Sequence, residues 1–174
     1  MSQLKQVLLT DIQYTAWANQ ELLSSCSPLS PVQHDRDLGA SHSSILKTLR
    51  HIYYAERVWL RRLVSDALPP LVEVGDQRLF GDRAPEPSLE DIAQRWPEVW
   101  QGLSKWIEAA DDEKLTGKMS TRLPDGGEFH LARWEILAHA VNHSSIHRGQ
   151  IVSMLRALGV QPPNTDMFSF YMAR

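Results

Sequence analysis

Apolar residues recur three and four positions apart along four long stretches of this chain. In the third stretch Leu89, Ile92, Trp96, Val99, Leu103 and Trp106 make one continuous stripe. In the first, Leu4, Leu8, Ile12, Thr15, Asn19 and Leu22 share a face, and in the second Ile45, Leu49, Ile52, Trp59 and Leu63 do so. The fourth carries Ile136, Ala140, Ile151, Met154 and Leu158 on one side. This spacing is the period of an α-helix with one buried face. A helix of that kind must bury its stripe against a neighbour. Four of them in one chain predict an all-α fold, a four-helix bundle.

Punctuation in the sequence sets the expected boundaries. The first helix runs from about Gln3 to Ser25 and stops before Pro28 and Pro31; residues 27–40 read as a loop. The second opens near Ser41, a good N-cap residue type, and ends at about Ser65, ahead of Pro69 and Pro70. Ser88 suits the N-cap of the third, with Glu90 and Asp91 in the first turn where the dipole favours negative charge. Pro97 is expected to kink it. The fourth spans roughly Ala132 to Leu158 and is closed by Gly159, then Pro162 and Pro163. Before it, MSTRL and EFHLA flank Asp125-Gly126-Gly127, the pattern of a small β-hairpin. Residues 67–87 hold four of the ten prolines and show no period, as a bundle crossover or a lid would.

The bulk numbers narrow the class of partner. A chain of 174 residues buries a sufficient core as one domain, 1–174, without staples. A formal net charge of −3 gives no pull toward nucleic acid or acidic membranes. The single cysteine, Cys26, excludes an internal disulfide and fits a reducing compartment. The N-terminal MSQLKQVLLTDIQYTAW does not read as a signal peptide, and no apolar run approaches the ~20 residues of a membrane span. These features predict a soluble, cytoplasmic protein.

The fourth stretch contains HAVNHSSIHRGQI, with histidines at 139, 143 and 147. Helical residues four apart are offset by ~40° and ~6 Å, so neighbouring imidazoles can converge on one ion. His139 and His147 are ~12 Å apart along the axis, too far to share a metal at bonds of ~2.0–2.1 Å. The helical wheel puts His147 central on the apolar face and His143 beside it, with His139 near the boundary. Imidazoles facing a core are costly unless their nitrogens are satisfied, and a metal would satisfy them. Alternatively they are core histidines bonded to carbonyls and carboxylates. The best third ligand is His51, mid-helix in LRHIYYAERVW, at the edge of its apolar face. His34, His42 and His130 fall in or near expected loops and read as solvated. Three imidazoles leave a position open on the ion, as in a catalytic site. They suit Zn²⁺, Ni²⁺, Cu²⁺ or Fe²⁺.

NHSSIHRGQI, with HIYYAERVW upstream and YTAWANQELL near the N-terminus, resembles the DinB/YfiT-like family. The resemblance runs along essentially the whole chain. It implies a four-helix bundle, frequently dimeric. It also implies a divalent metal, Zn or Ni foremost, held by one histidine of the second helix and two of the last. By motif these are His51, His143 and His147. Characterised relatives include thiol-dependent S-transferases and a mycothiol-dependent isomerase, so the resemblance implies a small-molecule thiol and an electrophilic substrate.

No catalytic group is assigned from the sequence. The zincin pattern HExxH is absent: Ala140 and Ser144 stand where its glutamate would. Glu56, on the apolar side of the second helix, reads equally as a general base or as a buried carboxylate paired with an arginine. Asn19 either lines a pocket or ties two helices together. Arg148 and Gln150 are expected to cap, pair or orient ligands. Cys26 reads as a small core residue. Besides a thiol-using transferase, the alternatives are a metal-dependent hydrolase, a non-catalytic metal-binding stress module, and a bundle that has lost its metal.

Overall fold

The computed structural model describes residues 1–65, 86–122 and 127–174. Four long helices dominate: α1 (Gln3–Cys26), α3 (Ile45–Ser65), α4 (Leu89–Ala109) and α6 (Arg133–Ala157). Short helices α2 (Pro31–Asp35), α5 (Asp112–Thr116) and α7 (Met167–Met172) lie between and after them. Strands β1 (Lys118–Arg122) and β2 (Glu128–Ala132) pair antiparallel, with Lys118 opposite Ala132 and Ser120 opposite His130. The expected Pro-rich lid, 67–87, lies almost wholly outside the described residues, as do positions 125 and 126 of the expected turn.

The bundle is square. α1 packs on α4 and α6, and α3 packs on the same two helices. Consecutive long helices α1 and α3 are thus diagonal partners, and α2 lies within the segment that joins them. Burial follows the predicted stripes. Leu8, Ile12, Thr15, Asn19 and Leu22 are buried on α1, and Ile45, Leu49, Ile52 and Leu63 on α3. α4 contributes Ile92, Trp96, Val99 and Leu103; α6 contributes Ile136, Ala140, Ile151 and Met154.

Helix ends obey local chemistry. Ser88 Oγ accepts from Asp91 N at 3.1 Å while Asp91 Oδ2 accepts from Ser88 N at 3.0 Å, a reciprocal capping box. The last long helix closes through Gly159 at φ 75°, with Val160 N donating to Leu155 O and Gly159 N to Arg156 O. That pair of bonds needs a left-handed residue, which glycine adopts without a Cβ clash. The third long helix runs continuously through Pro97.

Three expectations shift. Residues 31–35, read as part of a loop, form α2, which Ser30 caps and Pro31 opens. The second long helix begins at Ile45, not near Ser41. Ser44 Oγ takes up Lys47 N at 3.3 Å, and Ser41 sits instead in a turn ahead of the helix. The C-terminal tail, without period in sequence, forms α7, whose Phe170 packs against Tyr14 and Trp17 of α1.

Candidate metal centre

The chemistry-bearing side chains gather where α3 meets α6. His51 projects from α3, and His143 and His147 from successive turns of α6. His51 Nε2 and His143 Nε2 are 3.0 Å apart. Ring centroids of His51 and His147, and of His143 and His147, are each 4.5 Å apart. All three predicted histidines therefore come together. His139 is exposed and stands edge-on to Trp59, with its ring 5.8 Å from His143.

A fourth imidazole joins them. His42, expected to be solvated, lies face to face with His51, ring centroids 3.8 Å apart and planes inclined by 25°. Its ring is 5.1 Å from that of His147. His42, His51 and His147 each offer a nitrogen, and these atoms lie within 4.8 Å of one another. Ligand atoms around a tetrahedral ion with bonds of ~2.0–2.1 Å are roughly 3.4 Å apart, so the rings sit slightly wider than a closed coordination sphere. A helical wheel does not find His42, because the residue precedes the helix. His51 lies about 9 Å inside α3 at 1.5 Å per residue, so only a chain that doubles back brings His42 beside it.

The donor set fits a divalent cation. Burial lowers His51 to about 3, helped by the neighbouring charges of His42, His147 and His143. Burial likewise lowers His143 to about 4, with contributions from His147, His139 and His42. His42 moves in the same direction through burial and His147. Neutral imidazoles keep the lone pairs that a metal requires. His143 Nδ1 is buried without a hydrogen-bond partner. Buried polar atoms of that kind are rare and call for an explanation such as an ion or water.

Gln150 orients the set. Its Oε1 lies 2.9 Å from His147 Nδ1 and accepts from Ser41 Oγ at 3.0 Å. An amide oxygen only accepts, so His147 carries its proton on Nδ1 and leaves Nε2 free to bind. Arg148 turns away from the cluster's nitrogens: it donates to Asn19 Oδ1 at 3.1 Å and Ser145 Oγ at 2.7 Å, and covers the Tyr14 ring. Residues Leu38, Ala40, Ile146, Gln150 and Met154 line an open groove of about 410 Å³ beside the turn that carries His42.

Glu56 is buried, but not against an arginine. Its Oε1 accepts from Asn19 Nδ2 at 3.0 Å and Ser144 Oγ at 2.7 Å. Its Oε2 accepts from the indole N–H of Trp96 at 2.7 Å and of Trp100 at 2.9 Å. Four donors from three helices fill the acceptor capacity of a carboxylate. Arg148 reaches it only through Asn19. Of the other histidines read as solvated, His34 is half-buried and its Nε2 meets Cys26 O at 2.9 Å. His130 is exposed and bonds Ser120 Oγ.

These features define a helical bundle with an imidazole cluster suited to a divalent metal. The model of the DinB family matches residues 1–173, and the chain belongs to that family. Protein DinB of Bacillus subtilis (strain 168) is 26% identical over 155 residues, 88% of this chain and 87% of the relative. The crystal structure of a DinB-like protein from Bacillus subtilis superposes with a TM-score of 0.61 at 13% identity, covering 95% of this chain and 99% of that one. That likeness is one of fold. Among the described residues, no helix is long and apolar enough to cross a membrane.

Proposed function

We propose that this chain is a metal-dependent enzyme of the thiol-using transferase class, with a divalent ion, Zn²⁺ or Ni²⁺, held by His51, His143 and His147. The observation that carries the reading is the convergence of these imidazoles from two helices, with His51 and His143 Nε2 at 3.0 Å. Bound there, the ion supplies a Lewis acid that makes a coordinated thiol or water acidic at neutral pH. Gln150 fixes the His147 ring. The groove beside the 38–40 turn offers space for an organic electrophile.

Glu56 favours the transferase over the hydrolase. It is the one buried carboxylate among the described residues, and its acceptor positions are filled. It is therefore poorly placed to take a proton from water, a role that a thiol made acidic by the ion would not require. The test is the loss of an electrophile by metal-loaded protein across a panel of small thiols. A rate above background that vanishes with chelator supports the reading. No thiol-dependent rate, with or without ester or amide hydrolysis, would sink it.

A further inference from the structure

The geometry points to His42 as a fourth histidine of this centre, which closes the coordination sphere at rest and which a substrate thiol must displace. The inference rests on the metal-site reading above. It begins with the stacking of His42 on His51 and with the nitrogens of His42, His51 and His147 lying within 4.8 Å of one another. The backbone around His42 holds the ring there.

Residues 37–44 form a tight, cross-braced turn. Asp37 Oδ1 accepts from Gly39 N at 3.0 Å, and Gly39 has φ 76°. Leu38 N donates to Ser43 O at 2.7 Å, and Ser43 N to Ala40 O at 2.8 Å. Ser43 itself sits at φ 56°, in a left-handed conformation that a residue with a Cβ seldom adopts. Such an outlier persists where surrounding structure holds it, and it is a common mark of a working site. Here it turns the chain so that His42 faces His51. Ser41 then donates to the same Gln150 oxygen that orients His147. One amide thus couples the turn ligand to the helix ligand.

His42 also differs from the other three in what carries it. They are fixed on long helices, whereas His42 rides on a surface turn whose side-chain tie to α6 is the exposed Ser41–Gln150 bond. Four imidazoles make a closed site and three an open one. A ligand on a turn converts one into the other without disturbing the bundle. The same turn, at 38–40, walls a groove that reaches Gln150, the residue bonded to His147.

The experiment uses the full chain loaded with Co²⁺ and titrated with 2-mercaptoethanol, read by the sulfur-to-cobalt charge-transfer absorption. His42→Ala should bind the thiol about tenfold tighter than the parent, the factor expected if His42 occupies the position about nine times in ten. His42→Asn serves if the alanine variant misfolds. In parallel, Zn²⁺ should shift the His42 ring nitrogens in a ¹⁵N spectrum, and thiol should shift them back. Equal thiol affinity in parent and variant, or an unmoved His42 signal, overturns the inference and leaves the helix histidines as the site. Failure of the parent to bind cobalt overturns both readings. Cobalt binding that survives His51→Ala unchanged overturns the metal-site reading itself.

Discussion

The Nε2 atoms of His51 and His143 lie 3.0 Å apart, one ring from α3 and the other from α6. Between two neutral imidazoles only one hydrogen can sit on that line, and a metal would replace it with bonds to both. Tag-free protein should therefore carry about one divalent ion per chain, the stoichiometry of a closed or nearly closed histidine site. His51→Ala and His147→Ala should each lose it while keeping helical circular dichroism. Zinc at about a hundredfold excess over Kd should raise the unfolding free energy by about 2.7 kcal/mol. Elemental analysis and denaturant curves check both. Full metal content in either variant would exclude that residue as a ligand.

The same cluster makes the metal-free chain sensitive to acid. His51 is held down to about 3 and His143 to about 4, both below an ordinary value of 6.5. Between those values and 6.5 the unfolded chain binds more protons than the folded one. Stability thus falls as pH drops through that window and is unaffected by these groups above it. Urea midpoints of EDTA-treated protein should decline steadily from pH 6.5 to 4.5. The decline should be shallower in a His51→Gln/His143→Gln double variant. An equal slope in both would assign the acid sensitivity elsewhere.

Glu56 should behave as a structural hub. In Glu56→Gln, one of two oxygens that each accept two hydrogen bonds becomes an NH₂ facing donors. Leaving buried donors unsatisfied costs about 1–3 kcal/mol each, so a loss of roughly 2–6 kcal/mol is expected for the two. Metal content per folded chain should stay at the parent level. Denaturant midpoints beside elemental analysis separate the two effects; unchanged stability would contradict the network.

Cys26 should be inert. It is fully buried, and burial pushes its thiol up to about 12. Reaction with a thiol reagent at neutral pH should be slow in the native chain and fast in denaturant, since the thiolate is the reactive form. Rapid native labelling would put Cys26 back among candidate nucleophiles.

What the sequence revealed follows from what periodicity can express. The stripes gave the four long helices, and a wheel gave His143 and His147 because both lie on one regular helix. His51 was harder, lying at the edge of its face. His42 was out of reach: its place depends on the 37–44 turn and a left-handed Ser43, neither of which has a period. Glu56 lies on the apolar side of its helix, which leaves a general base and an arginine-paired carboxylate equally open; its actual partners, Asn19, Trp96, Trp100 and Ser144, come from three other helices and follow no local pattern. The short helices α2, α5 and α7 are too brief to show a stripe.

Gln150 offers the sharpest test of how the centre is held. Its Oε1 fixes the proton of His147 on Nδ1 and also holds Ser41. Gln150→Leu removes both bonds while keeping volume and helix propensity. The freed His147 ring can then turn and exchange tautomers, which costs metal affinity without removing a ligand. Losing an orienting partner of this kind costs roughly 10–100-fold in affinity. Gln150→Glu keeps an acceptor at the same place and should retain most of it. Competition with a chromophoric chelator measures both variants. If Gln150→Leu binds zinc as tightly as the parent, the Gln150–His147 bond does not orient the ligand.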